Sequence, residues 1–158
     1  LLAQLARHGL FDLALHARGD ATGWHHLVED VGITLGRALR QALGDGRGIV
    51  RMGHALVPMD DALAQVAVDL SGRGYATVDA GLGDTTVEGL PGALVEHLLE
   101  ALAVEARITL HARVLAGRDA HHRAEALFKA LARALRDAVA PDPRLQGQVP
   151  STKGTIAG

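Results

Sequence analysis

The sequence predicts an α+β fold built from a duplicated half-domain, and two observations carry this prediction. First, a His-His-x-x-Glu motif occurs twice, and nine of nineteen positions are identical between 25–43 and 121–139. The two copies lie 96 residues apart, which is too long for a solenoid unit and indicates two copies of a half-domain. Second, segments of alternating apolar and polar residues stand between the helical segments and predict strands.

The segment before each motif also repeats, because residues 1–13 match 98–110 at five positions. This alignment is offset by 97 residues, so the loop before the first His pair is one residue longer than its counterpart. His97 falls opposite the position just before Leu1. We therefore expect one domain of two pseudo-repeats, about 1–80 and 81–158. Because the chain begins inside a helical pattern without Met, the first repeat is expected to lack its N-terminal part.

The individual elements follow from apolar periodicity and from the positions of Gly and Pro. Helices are expected at 1–8, at 25–43, from Pro91 to about Glu105 and at 120–139. Strands are expected at 10–18, from Ile49 to Val57 with Pro58 closing the strand, from Ala64 to Leu70, from Tyr75 to Val78 and from Arg107 to Leu115. Residues 81–89 read as a glycine-rich loop. The tail, 141–158, lacks periodicity and has the composition of a disordered linker.

Composition excludes several classes of function. The net charge is −2 and no helix carries a stripe of Lys and Arg, so a nucleic-acid partner is not expected. The chain has no cysteine, so any metal site must use His and carboxylates. No apolar run is long enough for a bilayer and no signal sequence is present, so neither a membrane partner nor export is expected. A cytoplasmic location is the resulting expectation.

The repeated motif predicts a metal site. On a helix, His25 and Glu29 share a face because they are four residues apart, whereas the adjacent His26 points elsewhere. Imidazole and carboxylate together suit Mn, Fe, Co or Zn, and two diverging histidines can serve two different ions. A single copy would more simply be a solvated helix start. Two copies at matched positions favour metal binding.

Further segments in order make the chain resemble imidazoleglycerol-phosphate dehydratase of histidine biosynthesis. Beside the two motifs, these are LARHGLFDL at 5–13, PMD at 58–60, VDLSGR at 68–73, VEH at 95–97 and PSTKG at 150–154. The resemblance covers the whole chain. It implies that each half is a four-stranded sheet with two helices on one face, the ribosomal protein S5 domain 2-like fold. It also implies a homo-oligomer, a shell of twenty-four subunits with active sites between them.

The family resemblance implies a cofactor of two manganese ions (Mn²⁺) per active site. Carried over by position, the ligands are His25, His26, Glu29, His97, His121, His122 and Glu125, and an eighth would precede Leu1. Each ion would then have three His and one Glu, which leaves two octahedral positions for substrate. Among these, the resemblance assigns catalytic roles to Glu29, Glu125, His26 and His122.

The family's substrate contacts map to residues that suit a phosphate ester. They are His8, Arg51, Arg73, Lys129, Ser151, Thr152 and Lys153. Arg and Lys together hold a phosphate dianion well, so the resemblance turns the tail into an ordered loop. The implied reaction removes water from D-erythro-imidazole glycerol phosphate to give imidazole acetol phosphate. The hypothesis is that the metal-bound imidazolate ring expels the neighbouring hydroxyl, with a carboxylate from before Leu1 as base.

The chain departs from the family's sequence pattern at some positions, and two alternative classes of protein are weighed against the resemblance. Gly23-Trp24 stand where relatives usually have acidic residues, which predicts the loss of a carboxylate that would orient a ligand. His16, His54 and His111 are not carried over and are expected to face solvent or a neighbour. A ferritin-like bundle would use Glu-x-x-His on four long helices, and the predicted strands oppose it. A non-catalytic relative assembled by metal is the alternative, which the retained cationic residues disfavour.

Overall fold

The computed structural model describes residues 1–156. The α-helices are α1 (Leu2–Gly9), α2 (Trp24–Leu43), α3 (Ala93–Ala106) and α4 (Ala120–Val139). The strands are β1 (Met52–Met59), β2 (Ala62–Asp69), β3 (Tyr75–Asp79), β4 (Thr86–Val87), β5 (Leu90–Pro91) and β6 (Thr109–Ala116), and a short 3₁₀ helix spans Pro143–Leu145. Among residues 1–156, no helix combines the length and apolar character that crossing a membrane requires.

Four of the strands form one sheet in the order β1-β2-β6-β3. The neighbours β1, β2 and β6 are antiparallel, and β3 lies parallel to β6. Alternate residues of β2 are buried, as expected for a sheet with one face against helices. Strands from both sides of residue 80 share this sheet, while the division into repeats near that residue stays a prediction. The small ribbon β4-β5 stands apart.

The helices cover the sheet and pair across the two repeats. In the layer on the sheet, α4 packs on β1 and β2 while α3 packs on β3. In the outer layer, α1 packs against α4 and α2 against α3. Because α1 aligns with part of α3 and α2 with α4 in sequence, each helix of the first repeat packs on a helix of the second. This reciprocal pairing agrees with the duplicated α+β fold. The expectation of a four-stranded sheet in each half is wrong for the described residues, which contain one four-stranded sheet and no strand within 1–48.

Small residues allow the closest of these contacts. A Cβ on Gly36 of α2 would stand 2.5 Å from the carbonyl oxygen of Leu102 on α3. Where β1 crosses α4, a Cβ on Gly53 would clash with the carbonyl oxygen of Ala134. Aliphatic side chains and alanines fill the remaining space, and Phe128 is the largest fully buried side chain in the described chain. The core is therefore tight although aromatic residues are scarce.

The predicted strand at 10–18 is wrong, because the structure has no strand there. Leu13 and Leu15 are exposed. None of the strands that the structure describes pairs with this segment, and a lone extended segment leaves its backbone groups to water. Its sequence counterpart, β6, lies between β2 and β3 and is fully paired.

The predicted boundaries of two elements also need correction. The first strand of the sheet begins at Met52 rather than Ile49, and it continues through Pro58, which pairs with Leu63. Proline is tolerated there because β1 is an edge strand, where one side of the backbone needs no partner. Helix α3 begins at Ala93, not Pro91, because Pro91 pairs with Thr86 in the small ribbon.

The tail is ordered through residue 156, as the resemblance implied; residues 157–158 lie outside the described part. Asp142 and Gly48 are joined by a backbone hydrogen bond of 2.8 Å, and Gly48 and Gln148 by one of 2.9 Å. Ile49 and Pro141 form an isolated bridge. The composition of a linker is therefore misleading here, because backbone bonds to Gly48 and a side-chain bond from Arg51 to Pro150 hold the tail in place.

Candidate metal centre and substrate site

Three predicted ligands meet at the start of α2. The donor atoms of His25, Glu29 and His97 all lie within 4.8 Å of one another. Glu29 Oε2 is 4.0 Å from His25 Nε2, and Glu29 Oε1 is 3.8 Å from His97 Nε2. Helical spacing aligns the first two, and the packing of α3 on α2 brings His97 to them. This group is the first cluster.

The first cluster fits a divalent metal ion on its own geometry. His97 Nε2 is buried and has no hydrogen-bond partner within the described chain. A buried polar atom without a partner costs free energy, and a bound cation would remove that cost. Two imidazoles and a carboxylate suit Mn, Fe, Co or Zn. These residues can therefore hold the kind of metal that the motif predicts.

A second cluster forms at the start of α4. His121 Nε2 is 3.0 Å from Glu125 Oε2, and Lys129 Nζ is 2.7 Å from Glu125 Oε1. The hydrogen bond from Lys129, with a smaller contribution from His121, holds the pKa of Glu125 below its ordinary value. Glu88 is 3.5 Å from His121 Nδ1, a neighbour that sequence reasoning missed. By the repeat, the counterpart of His97 would precede Leu1.

The second cluster faces a cavity of about 610 Å³. Its polar lining residues are His121, Glu125, Glu88 and Gln4, while Trp24, Val28 and Phe128 are among its apolar lining residues. Trp24, which the sequence analysis noted as a departure, is 53% exposed at the first turn of α2. Its indole therefore borders the cavity and does not enter the core.

The paired histidines diverge, as predicted. The ring centroids of His25 and His26 are 6.1 Å apart with 80° between the planes, and those of His121 and His122 are 6.2 Å apart with 76°. Each pair therefore presents one imidazole to its own cluster and directs the other elsewhere.

His26 meets Asp20, a residue that sequence reasoning passed over. Its Nδ1 lies 2.8 Å from Asp20 Oδ2. This hydrogen bond and the charge of Asp20 raise the pKa of His26. Hydrogen bonds from Thr22 and His26 hold the pKa of Asp20 well below its usual range. Asp20 thus provides a carboxylate beside His26, while the effect of Gly23-Trp24 on metal binding stays a prediction.

His122 meets Asp61 in the same way. Its Nδ1 lies 2.7 Å from Asp61 Oδ1, and this bond raises the pKa of His122. Backbone N–H donation from Arg118, followed by the bond from His122, holds the pKa of Asp61 well below its usual range. Asp61 is in the turn between β1 and β2, so only the folded chain brings it to α4.

The predicted phosphate contacts gather partly around Arg51. Its guanidinium donates to both oxygens of Asp69, at 2.7 and 3.0 Å, and to the carbonyl oxygen of Pro150 at 2.8 Å. Arg51 also has a positive φ of 77°, a strained conformation that is rare outside glycine. The side chain thereby joins the end of β2 to the residue before Ser151.

The remaining substrate candidates occupy three places. Ser151 Oγ accepts from the Lys153 backbone N–H at 3.2 Å, in a turn that exposes Thr152 and Lys153. Arg73 is exposed just after β2, where its N–H bonds to the Ser71 hydroxyl. Lys129 lies in the second cluster, and His8 is half-buried in the last turn of α1.

The histidines that were set aside lie outside both clusters. His16, His54 and His111 are exposed. His111 is on β6, with its ring centroid 5.8 Å from that of Tyr75. A solvent-facing or neighbour-facing role is confirmed for these three residues.

Comparison with known proteins gives one consistent family. The family model described as imidazoleglycerol-phosphate dehydratase (IGPD) matches residues 1–135. A protein of that name from Dehalococcoides mccartyi is 58% identical over 156 residues, which cover 99% of this chain and 79% of the relative. One from a Roseiflexus species is 55% identical over 157 residues, with the same coverage of 99% and 79%.

Solved structures with the same description share the fold. The Staphylococcus aureus IGPD structure superposes with a TM-score of 0.82 at 38% identity, covering 89% of this chain and 80% of that one. The Pyrococcus furiosus IGPD structure gives a TM-score of 0.77 at 40% identity, covering 97% and 82%. The similarity therefore extends from sequence to three-dimensional arrangement.

Proposed function

The chain belongs to the imidazoleglycerol-phosphate dehydratase family, the hydro-lyases of histidine biosynthesis, and from this premise we propose a specific site and reaction. The protein converts D-erythro-imidazole glycerol phosphate to imidazole acetol phosphate and water, with two Mn²⁺ ions per active site. The observation that carries the metal part is the first cluster, in which the buried His97 Nε2 has no partner among residues 1–156.

The chain's own side chains divide between two ions. His25, Glu29 and His97 would hold one ion, and His121 and Glu125 would contribute to the other. His26 and His122, which turn away from their neighbours, would complete sites on adjoining subunits. When bound, the ions supply Lewis-acid stabilisation of the substrate's imidazole ring.

In the second cluster, Glu125 is held in its ionised form, which is the form that binds a metal cation. The Lys129 ammonium lies 2.7 Å from Glu125 and favours the ionised carboxylate. A bound metal ion would pair with the Glu125 carboxylate in place of the Lys129 ammonium. Lys129 could then contact an anionic group of the substrate. This arrangement supports a substrate-binding role for Lys129.

The phosphate group is proposed to bind between the tail and the end of β2. Arg73 and Lys153 are exposed and would supply the positive charges that contact the phosphate. Arg51 holds the tail by a hydrogen bond to the carbonyl oxygen of Pro150. The hydroxyls of Ser151 and Thr152 add donors for phosphate oxygens, and His8 borders the substrate. The proton acceptor that the family resemblance implies would come from residues before Leu1.

A homo-oligomer, a shell of twenty-four subunits, follows from the same proposal. It is supported by the outward direction of His26 and His122 and by the exposed apolar side chains Leu10, Leu15, Met52 and Leu56, which an interface would cover. We place the protein in the cytoplasm, with a small phosphorylated substrate and neither nucleic acid nor membrane as a partner.

Complementation tests this function against the non-catalytic alternative. The complete protein should restore growth without histidine to a bacterial strain that lacks the dehydratase. His97→Ala should abolish this growth, whereas His54→Ala, on an exposed strand position, should preserve it. A protein that accumulates, binds metal and assembles but never restores growth would instead support a relative in which metal only joins subunits.

A further inference from the structure

The outward histidine of each pair makes the same contact through the same ring nitrogen. His26 Nδ1 is 2.8 Å from a carboxylate oxygen of Asp20, and His122 Nδ1 is 2.7 Å from one of Asp61. An ionised carboxylate only accepts hydrogen bonds, so the proton of each neutral imidazole must lie on Nδ1. The other nitrogen, Nε2, then carries the lone pair that binds a metal.

The two aspartates are themselves held by other donors. Asp20 Oδ1 accepts from the backbone N–H of Thr22 at 3.0 Å and from its hydroxyl at 2.6 Å. Asp61 Oδ2 accepts from the backbone N–H groups of Arg118 and Asp119, at 2.5 and 3.3 Å. In both cases one carboxylate oxygen is anchored and the other faces the imidazole. Each histidine therefore has a fixed partner.

Asp20 and Asp61 reach their histidines from different places in the chain. Asp20 is six residues before His26, whereas Asp61 comes from a hairpin turn 61 residues before His122. The positions that match Asp20 in the second repeat hold Ala116 and Gly117, so Asp20 has no acidic counterpart there. The same contact is thus reached by two unrelated local structures, which indicates a requirement at the histidine itself.

The side chains of Asp60 and Thr22 make no hydrogen bond to Nε2 of His122 or His26. Asp60 Oδ2 is 3.5 Å from His122 Nε2, which is too long for a hydrogen bond. Thr22 Oγ1 is 3.3 Å from His26 and faces Nδ1 rather than Nε2. Neither group therefore forms a hydrogen bond to Nε2, although Asp60 lies within ion-pair distance of His122 Nε2 when the ring is protonated.

We propose that Asp20 and Asp61 are positioning residues that fix the tautomer and ring orientation of His26 and His122 for metal binding. The proposal rests on the proposed function, because it presumes that these histidines are ligands. Carboxylates behind metal-binding imidazoles commonly change metal affinity by about ten- to a hundredfold.

Metal titration of the complete, metal-stripped protein is the first test. Asp20→Asn and Asp61→Asn keep an oxygen for the anchoring N–H groups but remove the carboxylate charge, and each should weaken Mn²⁺ binding about tenfold in calorimetry. Asp45→Asn is the matched control, since Asp45 binds the Arg47 backbone N–H two residues later, as Asp20 binds Thr22, but touches no histidine. Equal Mn²⁺ affinities for Asp20→Asn, Asp61→Asn and Asp45→Asn would overturn the proposal.

Nitrogen-15 NMR of histidine-labelled, metal-free protein tests the same proposal without any metal. At alkaline pH, His26 and His122 should show protonated Nδ1 and unprotonated Nε2, and each aspartate variant should shift its own histidine toward a mixture of tautomers. Protonated Nε2 in the unsubstituted protein would refute the positioning role even if Mn²⁺ binds. Conversely, correct tautomers without Mn²⁺ uptake would refute the metal assignment and leave the orientation of the two histidines established.

Discussion

The imidazole ring of His97 stacks on that of His25, with 4.8 Å between centroids and 26° between the planes. The two residues belong to α3 and α2, one from each sequence repeat. Their contact places Glu29 between two imidazoles and leaves His97 Nε2 buried without a partner in the described chain. Packing between repeats, rather than either motif alone, therefore builds the first cluster.

His25→Ala should reduce stabilisation by metal while sparing the metal-free fold. His25 is exposed, so its removal costs little packing, but it takes one donor from the cluster. A ligand that binds only the folded state raises stability according to its affinity. The rise in melting temperature on adding Mn²⁺ should therefore shrink in this variant and stay intact in His16→Ala; equal rises would argue against the cluster.

Glu125→Gln should make the stability of the metal-free protein depend less on pH in the acid range. The folded-state pKa of Glu125 lies below its ordinary value of 4.5, so its contribution is present above pH 4.5 and is lost as pH falls through the lowered pKa. Melting temperature measured across that range should fall less steeply in the variant. Glu100→Gln, at an exposed position of α3, should retain the full slope, and an unchanged slope in Glu125→Gln would contradict the Lys129 contact.

Arg51→Lys should release the tail. Lysine keeps the charge but cannot make both the paired hydrogen bonds to Asp69 and the hydrogen bond to Pro150. Losing such charged hydrogen bonds costs about 2 kcal/mol. Limited proteolysis within 149–156 should become faster, and the Michaelis constant for the phosphate substrate should rise. Arg113→Lys, in an exposed pair with Asp79, should change neither; unaltered cleavage in Arg51→Lys would exclude the tether.

Gly36→Ala should destabilise the contact between repeats. The new Cβ would meet the Leu102 carbonyl oxygen at 2.5 Å, and a clash with backbone in a packed interior costs about 1 to 3 kcal/mol. Gly19→Ala is the control, because its nearest neighbour would be a side-chain atom of Leu27 at 3.6 Å. Chemical denaturation should show a lower unfolding free energy for Gly36→Ala alone; equal values would mean that the two helices can separate at no cost.

Local sequence predicted the helices better than the strands. The His-His helices, α2 and α4, were placed to within one residue, because their periodicity is long and Gly or Pro follows. In contrast, Leu-His-Ala-Arg occurs twice, as exposed coil at 15–18 and as the paired strand β6 at 110–113. The same four residues take both forms because only one copy has neighbouring strands.

The candidate metal donors could be predicted from spacing, but the residues that contact them could not. Helical spacing and the repeat identified the His-His-x-x-Glu donors, and the family resemblance added His97. Asp20 and Asp61 follow no common spacing from the histidines they contact, so no pattern in the chain marks them. The ordered tail was likewise predicted only through the resemblance, since its partners Gly48 and Arg51 are remote in sequence.

Turnover of imidazole glycerol phosphate by the complete, metal-stripped protein during titration with Mn²⁺ tests the central claim most directly. The account predicts that the ketone product, imidazole acetol phosphate, forms only as metal is added and that the rate reaches its plateau at two ions per subunit. Full turnover by the stripped protein, or metal uptake with no product, would contradict it.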